Sequence, residues 1–173
     1  LVNKTKNIAA DFSLHFPHSE INFYSCETEM HQGKPNDYFQ FPTDILNKKF
    51  DVELALSKLQ QHFAEENIGN ALMEKSVFVG MGDLIRTEAL YRAKIHPESL
   101  VNNIPEKKLI FLIISAVNFA DELVEHFKND EVNSKALIFE KKMCPKDKSE
   151  IQIAISTETN RKIYICPKCQ KLF

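Results

Sequence analysis

Three cysteines and an aspartate near the end of the chain have the spacing of a metal site. Cys144-Pro-Lys-Asp147 is followed by eighteen residues and then by Cys166-Pro-Lys-Cys169. Thiolates and carboxylates both ligate Zn²⁺, and two intervening residues let a pair wrap one side of a tetrahedral ion. Two such pairs joined by a hairpin are the layout of a zinc ribbon. Cys166 and Cys169 make a strong pair on their own. Asp147 stands where a second cysteine is expected, and a carboxylate is the weaker structural ligand. The alternative is a metal-free hairpin with small buried thiols. A structural disulfide fits less well, because nothing marks the chain as secreted.

A second stretch carries a different chemistry. Gly80-Met81-Gly82-Asp83 runs directly into Leu84-Ile85-Arg86-Thr87-Glu88-Ala89-Leu90-Tyr91-Arg92-Ala93, which reads as an amphipathic helix stopping before His96-Pro97. Three of only four glycines fall between Gly69 and Gly82. Glycine removes the Cβ obstacle to close approach, and a helix start offers free N–H groups and a positive dipole end. Together these bind phosphate. A tight turn between two core helices uses the same residues and remains the alternative. Charge is segregated in a way that favours a polyanion. Residues 135–173 hold nine Lys/Arg against four Asp/Glu, leaving 13 basic and 20 acidic residues in the first 134. A basic tail on a chain of net charge −2 is an electrostatic footprint for nucleic acid, or else a solvated lysine-rich surface.

Several elements must position these groups. Ile8–Phe16 and Ile21–Cys26 are strand-sized and separated by a Pro17–Glu20 turn, like the last part of a larger sheet. Gly33–Asp37 reads as a loop. From Asp51, a candidate N-cap, the period turns helical, with Val52, Ala55, Leu56, Leu59 and Phe63 on one face. A short helix is expected near Asn70–Lys75, and another from about Asp83 to Ala93. A long apolar helix should follow Pro105 to about Lys128, with Asn103 and Glu106 spaced as a capping box and Leu109–Ala120 buried. Asn129-Asp130-Glu131 opens a polar linker. Strands near Ile151–Ile155 and Arg161–Ile165 flank a Ser156–Asn160 turn. The apolar run is too short to span a bilayer, so no membrane role is expected. Composition suits a soluble globular chain, 43% hydrophobic and 27% charged. No signal-peptide pattern follows Leu1, which points to an intracellular location. Cys26 reads as a core thiol on a strand. The six histidines form no metal-binding or catalytic pattern and read as surface or satisfied residues.

The run GMGDLIRTEALYRAKIHP, the long helix after it and the terminal CPKCQ together resemble the C-terminal part of Fpg/Nei (formamidopyrimidine/endonuclease VIII) DNA glycosylases. Phe12–Phe16, Asn22–Cys26 and Asp44–Phe50 resemble the eukaryotic Nei-like branch, its second type above all. The resemblance implies an α+β fold in three parts. Residues 1–45 would be the C-terminal remnant of a β-sandwich domain, 46–134 a helix–two-turn–helix domain, and 135–173 a zinc finger built on a β-hairpin. It implies that Gly80, Met81, Gly82 and Asp83 grip backbone phosphate. It also implies that Arg161, just before CPKCQ, clamps phosphates around a flipped nucleotide. Arg161 follows a turn in the basic segment and has a planar fork suited to phosphate, although a plain solvated arginine reads the same way.

Three departures qualify the resemblance. The family nucleophile is an N-terminal amine, usually of proline followed by glutamate, and this chain opens Leu1-Val2-Asn3. Asp83 replaces the usual asparagine, so its carboxylate would repel phosphate while still suiting an N-cap. The first ligand pair is altered: second-type relatives place histidine where Lys148 stands, and Asp147 is the substitute ligand. The implied function is a base-excision glycosylase and AP lyase for oxidised bases. This chain would be its DNA-binding portion, monomeric, holding structural Zn²⁺, acting on damaged duplex or single-stranded DNA in a DNA-containing compartment, and inactive alone. The rival is a non-catalytic nucleic-acid-binding module on the same fold.

Overall fold

Asp51 starts the first helix. In a computed structural model describing residues 8–38, 41–127, 135–156 and 160–173, its side chain accepts the N–H of Leu54 at 2.9 Å, the N-cap bond that favours Asp there. Helix α1 spans Val52–His62 and buries Ala55 and Leu59, as its apolar period predicts. Helix α2 is a single turn, Ile68–Ala71, earlier and shorter than the expected Asn70–Lys75. Pairing with a distant segment displaces it: the N–H groups of Ile68 and Gly69 donate to Ser99 and Pro97 carbonyls at 2.9 and 2.8 Å. A Cβ on Gly69 would lie 2.9 Å from Pro97 Cβ and 3.0 Å from its carbonyl oxygen. That close approach explains the glycine.

Helix α3 spans Asp83–Ala93, as predicted, and ends at Lys94 in the left-handed conformation, φ 58°. It is not amphipathic. Seven of its eleven residues are buried, Arg86, Glu88 and Tyr91 among them, because other segments cover it on opposite sides. Helix α4 covers Glu106–Phe127. The Asn103–Glu106 spacing does not form a capping box. Asn103 closes a 3₁₀ turn, Val101–Asn103, and the Pro105 carbonyl accepts from Lys108 and Leu109 instead. Leu109, Leu112, Ile113, Ala116, Phe119 and Ala120 of α4 join the core, while Phe111 and Ile114 are exposed. The apolar run is therefore one-sided, not wholly buried. Among the described residues no helix is long and apolar enough to cross a membrane.

Strands β3 (Gln152–Ile155) and β4 (Lys162–Ile165) form an antiparallel hairpin. They are slightly shorter than predicted. Most of the expected turn (157–159), the Asn129–Glu131 linker, the Lys128 helix end and the Leu1-Val2-Asn3 opening lie outside the described residues. A second cluster of buried residues, Tyr91, Ile138, Cys144, Ile151, Tyr164 and Cys166, joins this region to α3.

Packing divides the chain into Leu1–Tyr38 and Phe39–Phe173. The first unit holds β1 (Phe12–Phe16) and β2 (Ser19–Phe23), with Phe12 opposite Phe23 and Phe16 opposite Ser19. The predicted turn is shorter than expected. Only Pro17 and His18 lie between the strands, as a two-residue hairpin requires. Cross-strand partners share a face, which places Phe12, Leu14, Ile21 and Phe23 together. Cys26 is not a core thiol on a strand: β2 ends at Phe23 and Cys26 is half-buried. Pro35–Asp37 is a 3₁₀ turn where a loop was expected, with the Asp37 side chain accepting from Lys34 N–H at 3.1 Å.

Candidate metal centre and glycine-built helix start

The four predicted ligands converge. The candidate ligand atoms of Cys144, Asp147, Cys166 and Cys169 all lie within 4.8 Å of one another. A tetrahedral ion with metal–sulfur bonds of about 2.3 Å separates its sulfurs by about 3.8 Å; Sγ of Cys144 and Cys169 are 3.8 Å apart. Asp147 Oδ2 lies 3.0 Å from Cys169 Sγ and 3.4 Å from Cys166 Sγ. The spacing and donor set fit a metal of zinc's size. Cys144 and Cys166 are buried, Asp147 and Cys169 half-buried. Lys148, the alternative position, is exposed with φ 60°, and the chain turns there as its N–H donates to the Cys144 carbonyl at 3.0 Å.

A second layer of hydrogen bonds holds these ligands. Ser149 donates its hydroxyl and its N–H to Asp147 Oδ1. Those bonds, with a further one from the Cys169 thiol, hold the Asp147 carboxyl well below the usual carboxylate range. Tyr91 Oη lies 3.2 Å from Cys144 Sγ. Burial pushes the Cys144 thiol up, but hydrogen bonds from Tyr91, the Asp147 and Lys146 backbone and Cys166 outweigh it and leave the thiol below its ordinary value. Burial and then the Asp147 carboxylate push Cys169 up to about 12. A bound cation reverses that second effect, since it favours thiolate. Gln170 ties the cluster to the helices: Oε1 accepts Cys166 N–H at 2.8 Å and Nε2 donates to the Ile95 carbonyl at 2.9 Å.

The glycine turn occupies the opposite end of α3. Gly80 has φ +84°, and a Cβ there would meet Ile45 at 3.1 Å, so both conformation and space require glycine. Gly82, not Asp83, is the N-cap, and a Cβ on it would meet nothing within 4 Å. A side chain at Gly82 would therefore point into open space. Met81 is half-buried and packs against the core. Asp83 is the first helical residue. Its Oδ2 accepts from Arg161 Nη1 at 2.9 Å, and its Oδ1 pairs with Arg86 Nη2 at 3.0 Å without hydrogen-bond alignment. The structure thus brings Arg161, Asp83 and the turn together, across 78 residues of sequence.

Three buried polar residues of α3 were invisible as functional residues in the sequence. Arg86 is 1% exposed and donates to the Gly69 and Lys162 carbonyls at 3.2 and 3.0 Å. Burial lowers its pKa; the Asp83 charge opposes this and the Arg161 charge adds to it. Glu88 is fully buried, and its Oε1 accepts the N–H groups of Ile138 and Phe139, both at 2.9 Å. Tyr91 is the third. In the sequence Arg86 and Glu88 look like ordinary surface charges of a helix; only the cover on both sides of α3 gives them other work.

Residues 42–134 match the domain family described as "Formamidopyrimidine-DNA glycosylase H2TH domain". Endonuclease 8-like 2 of Mus musculus is 30% identical over 151 residues, covering 86% of this chain and 44% of that protein. Endonuclease 8-like L720 of Acanthamoeba polyphaga mimivirus is 31% identical over 134 residues, covering 73% and 48%. A solved viral DNA glycosylase superposes with a TM-score of 0.67 at 28% identity, over 76% of this chain and 50% of that one. Lactococcus lactis formamidopyrimidine-DNA glycosylase, non-covalently bound to DNA containing an AP site, gives 0.69 at 24% identity over 79% and 53%, a likeness of fold. Fold and sequence match define the H2TH class. The chain belongs to the Fpg/Nei DNA glycosylase family. It spans about half the length of the curated relatives it matches.

Proposed function

We propose that this chain is the DNA-binding portion of a base-excision DNA glycosylase and AP lyase acting on oxidised bases. The observation that carries this reading is the placement of Arg161 against the open start of α3. A planar cation and a glycine-built helix N-terminus lie side by side, and both suit a phosphodiester. In this reading residues 1–45 are the C-terminal part of a β-sandwich domain, 46–134 the helix–two-turn–helix domain and 135–173 the finger. Gly80, Met81, Gly82 and Asp83 form the phosphate-facing turn, with Met81 seating it on the core. Arg161 clamps phosphate beside a nucleotide turned out of the stack, which exposes C1′ of its sugar.

The same reading gives Cys144, Asp147, Cys166 and Cys169 one structural Zn²⁺. The ion would hold the loop before β3 against the knuckle after β4 and so aim Arg161. These residues supply binding and orientation, not the amine that attacks C1′. The protein would act as a monomer in a DNA-containing compartment. Titration with a short duplex carrying a stable abasic-site analogue tests the proposal. Binding that weakens with rising salt and with Arg161→Ala is expected. Absence of binding by the metal-replete chain would overturn it. Borohydride trapping on abasic DNA checks the division of labour. No covalent adduct is expected, and a robust one would place a nucleophile within this chain.

A further inference from the structure

We propose that Asp83 is an internal competitor for the phosphate that Arg161 clamps. One carboxylate holds the clamp arginine in reserve until a DNA phosphodiester displaces it. The inference rests on the reading above and adds a residue that sets how readily the clamp engages.

The asymmetry between the two arginines carries the argument. Arg86 is buried and fixed by two backbone carbonyls. A buried guanidinium needs a counter-charge, and Asp83 Oδ1 supplies it at 3.0 Å. Asp83 is thereby anchored at the first position of α3. Its second oxygen is turned to Arg161 at 2.9 Å, where the side chains are 49% and 32% exposed. Two guanidinium groups share one carboxylate, so the cluster carries one surplus positive charge. An arriving phosphate can take Arg161 while Asp83 keeps Arg86, and no buried charge is left uncompensated at any stage. A half-exposed pair is weak enough to exchange. The pair also stores Arg161 beside the first residue of α3, in place for the anion.

Direct repulsion between Asp83 and phosphate would also penalise binding, but it would not act through Arg161. A double-mutant cycle on the abasic-analogue duplex separates the two. Asp83→Asn is expected to tighten binding about twofold to fivefold, the range of an exposed ion pair, and the gain should vanish in an Arg161→Ala background. An equal gain in both backgrounds would overturn the proposal in favour of repulsion. Unchanged or weaker binding by folded Asp83→Asn would overturn it as well. Arg161→Ala with unaltered affinity would remove the clamp reading itself, a distinguishable failure.

Loss of the Arg86 counter-charge can unfold the Asp83→Asn chain. The ¹³Cγ resonance of Asp83 in the unsubstituted chain gives an independent readout. Saturation with DNA is expected to move it to its position in free Arg161→Ala protein. A resonance that stays in place on binding would show that the pair persists and that no competition occurs.

Discussion

The hydroxyl of Tyr91 lies 3.2 Å from the sulfur of Cys144, so the helix that begins at the glycine turn reaches a candidate metal ligand from its buried face. Hydrogen bonds to ligand atoms orient them and tune their affinity for the ion. Tyr91→Phe removes the hydroxyl's contacts with Cys144 and Cys169 and almost no volume. Metal affinity is expected to fall by about tenfold, the low end for such supporting contacts. Competition with a chelator measures this, and Co²⁺ substitution reports the altered thiolate environment in the visible spectrum. Unchanged affinity and spectrum would show that the contact is incidental.

Metal content tests the ligand set. Elemental analysis of the metal-replete chain is expected to give close to one zinc per chain. Asp147→Ala removes the oxygen donor and should weaken zinc binding, whereas Lys148→Ala should leave it unaltered. Protein that retains no zinc under replete conditions would identify a metal-free hairpin.

Arg161→Ala should lower DNA affinity about equally for all sequences and reduce the salt slope by about one unit, the signature of one lost phosphate contact. The side chain is half-exposed, so stability should change by no more than about ±0.5 kcal/mol. A sharp fall in melting temperature with the salt slope intact would make Arg161 structural.

Glu88→Ala should destabilise the chain by about 2–4 kcal/mol, because it strips the acceptor from two N–H groups next to a buried segment. Glu88→Gln keeps an acceptor oxygen and should cost less. Denaturant midpoints of the two variants measure the difference. A Glu88→Ala midpoint equal to that of the unsubstituted chain would show that the carboxylate is dispensable there.

The glycines should divide by their surroundings. Gly69→Ala forces a Cβ against Pro97 and should cost about 1–3 kcal/mol, as overpacking does. Gly82→Ala meets open space and loses only N-cap preference, up to about 1 kcal/mol. Thermal melts rank them, and a reversed order would contradict the packing at Pro97.

Local signals carried much of this fold. Asp51 caps α1 because its side chain reaches its own third neighbour, a relationship contained in four residues. The bounds of α3 follow from Gly82 before it and the turn toward Pro97 after it. The candidate metal cluster was legible because two x₂ spacings bring each pair of side chains together without help from the rest of the chain. What stayed hidden depends on contacts far apart in sequence. Nothing near Arg86 signals the Lys162 carbonyl, and nothing near Glu88 signals Ile138. The sequence sets Asp83 against an expected phosphate, whereas its partners are two arginines on different segments. The early start of α2 has the same origin, since Pro97 and Ser99 fix it from outside.

Arg86 reaches Lys162, Glu88 reaches Ile138 and Phe139, and Tyr91 reaches Cys144. All three lie within six consecutive positions of one helix. A helix advances about 100° and 1.5 Å per residue. One extra residue between Asp83 and Arg86 would rotate every one of these side chains away from its partner relative to the turn. A substitution at one of these three positions removes one set of contacts, whereas a change of length removes all three at once. The segment from Gly82 to Tyr91 therefore behaves as a fixed ruler, and insertions in this chain should be tolerated only outside it.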